Sequence, residues 1–134
     1  MTYRQHQAQL RRIIKEWKKR LQLEHFTLTL EWDEEPEDMD ALASIYVSES
    51  YDYATMRFRS DWTEHPVDEL NRIVVHELMH ILMHEYGMAA RSIFVTGAIA
   101  TDIRLLWSDR MHDAEERVVD RLANRLVDLG GVVE

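Results

Sequence analysis

At 134 residues and 46% hydrophobic content, the chain can bury one core but is too short for two ordinary domains, so a single domain spanning 1–134 is expected. Its net charge of −9 opposes general binding to nucleic-acid phosphates, and the absence of cysteine excludes disulfides, thiolate nucleophiles and cysteine-based zinc sites. No apolar run approaches the roughly 18 residues of a membrane span, and the opening MTYRQHQAQLRR lacks the apolar stretch of an export signal, so a cytoplasmic protein without membrane attachment is the expectation.

From Tyr3 to Leu21 the apolar positions Leu10, Ile13, Ile14, Trp17 and Leu21 recur at helical spacing, which predicts an amphipathic helix with one buried stripe. Arg11, Arg12, Lys15, Lys18, Lys19 and Arg20 crowd its remaining surface and read as a solvated face. The segment HFTLTLEW alternates Phe26, Leu28, Leu30 and Trp32 with polar residues, the pattern of a half-buried strand. Asp33 to Asp40, with Pro36 and no apolar periodicity, reads as an exposed acidic loop. Two further strands are predicted at Ala43 to Glu49 and Tyr53 to Arg59, joined by a hairpin-length connection near Tyr51 and Asp52. The expected sheet therefore has about three strands, mostly antiparallel.

Pro66 suits a helix start, and Asp68 and Glu69 follow where the dipole favours negative charge. This helix should run to about Tyr86 and stop at Gly87, with Val67, Leu70, Val74, Leu78, Ile81 and Leu82 as its core stripe. Gly97 falls in an expected connection, and Ile99 to Trp107 reads as a short helix. Glu115, Val118, Val119, Leu122, Ala123, Leu126 and Leu129 then predict a final helix ended by Gly130 and Gly131. The fold class is α+β.

The chemistry lies in His76-Glu77-Leu78-Met79-His80, an HExxH sequence inside the predicted helix. Two histidines four residues apart project from one helical face and can bind a single ion. Glu77 beside them can take the proton of a metal-bound water whose pKa the ion lowers. Ile73, His76, Glu77 and His80 lie beside the core stripe rather than in it, so packing does not require the histidines.

A catalytic zinc normally takes three protein ligands. The extended metzincin motif fails, because Met83 and Tyr86 stand where it needs glycine and histidine. His84 faces nearly the same way as His76, but three ligands along one straight helix would close poorly around an ion. It reads as a supporting or surface histidine. Glu115 and Glu116, one turn ahead of the last core stripe, are better candidates, and periodicity alone does not separate them.

Here the sequence resembles the gluzincin branch of the zincin-like metallopeptidases, in particular the short bacterial and prophage-encoded forms and the related repressor-cleaving type. In these, HExxH is followed by a glutamate opening a later helix in a pattern like ExxAxxFAxxL. Glu116, Val119, Leu122, Ala123 and Leu126 fall in that register, with Val119 in place of the family's alanine. The resemblance covers most of the chain, implies a minimal zincin-like fold and selects Glu116 as third ligand.

His112, four residues before Glu116, shares its face and is a candidate to polarise a substrate carbonyl. The implied activity is hydrolysis of peptide bonds in a peptide or protein substrate, with one Zn²⁺ held by His76, His80 and Glu116 and with Glu77 as base. The substrate is expected to lie extended beside the strand from Ala43 to Glu49 or its partner. Tyr51, Tyr53 and Tyr86 are candidate oxyanion donors. A different class of function would keep the fold and act as a partner-binding regulator without catalysis; plainer still is a helical protein with a chance HExxH. Oligomeric state is not encoded in any pattern.

Overall fold

A computed structural model describes the backbone of residues 1–35, 40–95 and 101–134, and the side chains of these except 33, 34 and 85–108. Among them are helix α1 (Tyr3–Arg20), strands β1 (Thr27–Glu34), β2 (Ala43–Val47) and β3 (Tyr53–Arg59), a 3-10 turn at Ser60–Glu64, and helices α2 (Val67–Val95) and α3 (Thr101–Gly130). The expected α+β class and the order of elements are observed.

Helix α1 begins at a capping box. The Thr2 hydroxyl accepts from the Gln5 amide, the Gln5 side chain accepts from the Thr2 amide, and two otherwise unpaired donors are satisfied. Its stripe of Leu10, Ile13, Ile14 and Trp17 is buried as the spacing requires. The helix closes through Gln22, whose positive φ of 57° reverses the chain toward β1.

The sheet has the order β1-β3-β2. The hairpin makes β2 and β3 antiparallel, Ala43 opposite Phe58 and Val47 opposite Ala54. β1 runs parallel to β3, pairing Thr27 with Tyr53 through Glu31 with Arg57. The sheet is thus evenly mixed rather than mostly antiparallel: β2 crosses beyond the place beside β1, and β3, reversing from β2, fills it in the direction of β1. Ala54, Met56 and Phe58 alternate onto the buried face of the central strand.

Helix α2 packs against α1, β2 and α3. Leu70, Val74, Leu78 and Ile81 are buried as expected, joined by Val75 and Met79, whereas Leu82 is 43% exposed. The helix continues through Gly87 to Val95 instead of stopping there. A glycine inside a helix costs only about 1 kcal/mol, and Met88, Ala89 and Ala90 beyond it are good helix formers. Likewise the short helix expected to end at Trp107 and the final helix are one element from Thr101, since neither glycine nor proline interrupts 101–129. Its end is as expected: Gly131, at φ +83°, donates to the Val127 carbonyl. The loop around Pro36, the connection at Gly97, the onset of the Ile99 segment and the Tyr86 side chain lie outside the described residues.

The C-terminal residues are clasped to the helices by Asn71, which is fully buried. Its oxygen accepts from the Trp17 indole (2.6 Å) and the Val133 amide (2.9 Å), and its nitrogen donates to the carbonyls of Val67 and Val133 (both 2.8 Å). One side chain thus ties α1, α2 and the segment after α3 together. None of the described helices is long and apolar enough to cross a membrane.

Candidate metal centre

Burial of Leu70, Val74, Leu78 and Ile81 fixes the rotation of α2, and the neighbouring face carrying His76, Glu77 and His80 is thereby turned toward β2 and α3. Contacts between α2 and the antiparallel α3 form a ladder. Arg72 binds the Asn124 carbonyl (3.1 Å) and the Asp128 carboxylate (2.7 Å). A turn along α2, His76 meets Glu116 and Asp120; a further turn brings His80 to Glu115 and Glu116. The same rotation of α3 that buries Val119, Ala123 and Val127 points Glu116 at the histidines.

The two imidazole Nε2 atoms stand 3.3 Å apart. Both face the Glu116 carboxylate, one oxygen 3.2 Å from His76 and the other 3.0 Å from His80. Ligand atoms from His76, His80 and Glu116 all lie within 4.8 Å of one another, and the three residues form a group that could hold a metal ion. The outer ring nitrogens have carboxylates of their own. His80 Nδ1 lies 3.1 Å from Glu115, a hydrogen bond, and His76 Nδ1 lies 3.6 Å from Asp120, an electrostatic contact. A carboxylate behind the ring is the usual support of a metal-binding histidine, because it accepts from Nδ1 and so leaves Nε2 for an ion.

Glu77 is 8% exposed. Burial, aided by the negative charge of Glu116, pushes its carboxyl up to about 8 from an ordinary 4.5. It lines, with the three candidate ligands, a cleft of about 510 Å³ whose opposite wall is β2 from Ala43 to Val47. His84 and His112 also line this cleft, as does Glu115.

Of the residues singled out in the sequence, His76, Glu77, His80, Glu116 and His112 thus converge on one cavity. Glu115 faces the far nitrogen of His80 instead of the space between the rings. Tyr51 and Tyr53 do not line the cleft; Tyr46, 62% exposed on β2, does. Asp120 is the residue sequence reasoning missed, and its signal was its place one turn after Glu116 on the same face. No family model matches the chain, and neither a curated protein nor a solved structure does so.

Proposed function

We propose that the chain is a zinc-dependent metallopeptidase of the gluzincin type, hydrolysing peptide bonds with His76, His80 and Glu116 as ligands and Glu77 as general base. The observation that carries this reading is the convergence of both Nε2 atoms and the Glu116 carboxylate within 3.0–3.3 Å of one another beside a buried carboxylate that is not one of them. Ligand atoms of His76, His80 and Glu116 lie within 4.8 Å of one another, close enough for one ion to be held by all three, and a catalytic zinc takes three protein ligands with the fourth position open. Two imidazoles with a carboxylate also suit zinc better than the hard cations magnesium or calcium. The sequence resemblance supplies the reaction class.

When bound, zinc contributes a Lewis acid that polarises the scissile carbonyl and acidifies water. Glu77 accepts the proton of the attacking water and delivers it to the departing amine nitrogen as the carbon–nitrogen bond breaks. A nearby dication favours the ionised form of Glu77, which offsets the burial that otherwise keeps it protonated. His112 donates a hydrogen bond to the carbonyl oxygen as negative charge develops there. Among the described residues β2 is an edge strand, and its outer backbone groups pair with an extended peptide across the cleft.

The test is digestion of a mixed peptide pool by the zinc-loaded protein and by Glu77→Gln. Cleavage should drop by about 10²-fold or more in the variant while zinc content is unchanged. Equal cleavage by both proteins would contradict the proposal, and loss of zinc together with activity would move Glu77 from base to ligand.

A further inference from the structure

At the opposite edge of the sheet from the metal cleft, α1 and β1 flank a cavity of about 860 Å³. β1 and β2 are the two edges with β3 between them, so this groove runs along a different edge from the cleft, roughly 10 Å away at the usual strand spacing. Its floor is aliphatic: Ile14, Leu28, Leu30 and Val133. Its rim carries six cationic side chains against two carboxylates, in a chain whose net charge is −9.

The basic face of α1 is solvated as its spacing predicts, and part of it is also held in place by hydrogen bonds. Lys18 donates to the Phe26 carbonyl, Arg12 to that of Glu134 and Arg20 to that of Gly131, each at 2.6–2.8 Å. These contacts hold the charged groups in place; Arg20 is in addition paired with Glu16 (3.3 Å), whereas Lys18 meets, among the described residues, only a neutral carbonyl. Lys15 and Lys19 are exposed and have no partner among the described residues.

We infer that this groove binds an extended acidic peptide segment of a partner protein, apolar side chains on the floor and carboxylates on the rim. Three features favour peptide over nucleic acid. The floor has no aromatic ring on which bases could stack. Glu16 and Glu24 interrupt the positive rim, and the protein's overall negative charge repels a long polyanion. β1 has no ladder on its outer edge among the described residues, so a strand laid there finds backbone partners as well as charge. The inference is independent of any chemistry in the metal cleft.

The test is fluorescence anisotropy on the whole chain with a short labelled peptide alternating glutamate and valine. A glutamate–serine peptide, a lysine–valine peptide and a single-stranded oligodeoxynucleotide serve as comparisons. The glutamate–valine peptide should bind best, lose affinity as salt rises, and bind roughly tenfold or more weakly to Lys15→Glu/Lys19→Glu, with zinc content unaffected. Lys15→Gln/Lys19→Gln should show a smaller loss in the same direction, which guards against misfolding of the reversed variant. No binding of the acidic peptide at low salt, an affinity unchanged by the double reversal, equal binding of the serine peptide, or tighter binding of the oligonucleotide would each overturn the inference.

Discussion

At the scale of single residues, two imidazole nitrogens 3.3 Å apart, each also beside a glutamate oxygen, divide the neighbouring acids into two roles. Glu116 lies where a ligand belongs, and Glu115 where a carboxylate orients the ring from behind. Glu116→Ala should therefore abolish stoichiometric zinc binding, whereas Glu115→Gln should weaken it about 10–100-fold, both measured by competition with a chelating dye. The two residues were inseparable by periodicity because both adjoin the same stripe; a step of one residue turns a helix by about 100°, and only packing of α3 on α2 decides which carboxylate faces the rings.

Glu77 yields a pH prediction for the metal-free protein. Its carboxyl is held up to about 8 in the fold and ionises near 4.5 when unfolded, so the native state keeps a proton that the unfolded state releases. The penalty is absent below 4.5, grows as pH rises toward 8 and is constant above. It reaches a few kcal/mol, at about 1.4 kcal/mol per pH unit. Denaturant titrations at pH 5 and pH 8 should show Glu77→Gln gaining stability relative to the parent at the higher pH. An identical difference at both values would be inconsistent with a buried, protonated Glu77.

At the scale of elements, alternation and helical spacing in the sequence were enough for β1, β2, β3, α1 and the core of α2. Pairing was not legible, because the parallel union of β1 with β3 depends on which strand crosses the sheet, and no local pattern carries that choice. Helix ends were misplaced where Gly87 was given the force of a stop although the neighbouring turns continue the helix. The final helix shows a related limit: Val118, Leu122 and Leu129 are exposed, and the buried face is Val119, Ala123 and Val127. An apolar stripe wide enough to fit two faces does not say which one packs.

Asn71 is the least replaceable connector, since it satisfies the Trp17 indole and both backbone groups of Val133. Asn71→Ala leaves the buried indole donor without its partner and should destabilise the fold by roughly 2–4 kcal/mol. Its thermal midpoint should fall on the order of 10 °C. A midpoint within a degree or two of the parent would mean that the clasp adds little.

On the scale of the whole molecule, one small sheet presents two unlike edges. β2 lines a cleft rich in histidine and carboxylate, and β1 borders a groove rimmed by lysine and arginine. The negative total charge obscured this segregation in the sequence, where the basic residues of α1 look like any solvated helical face. Because the donors of the cleft come from α2 and α3, an ion joining them stabilises the fold only while the helices are packed. Zinc at 100 times its dissociation constant should add about 2.7 kcal/mol, seen as a concentration-dependent rise in thermal midpoint.

The most direct measurement is metal stoichiometry by native mass spectrometry after chelation and zinc titration, on the parent chain and on His76→Ala, His80→Ala and Glu116→Ala. A centre built from these donors requires one ion per chain in the parent and none retained in the three variants. A parent that takes up no ion, or variants that retain one ion as firmly as the parent, would contradict it.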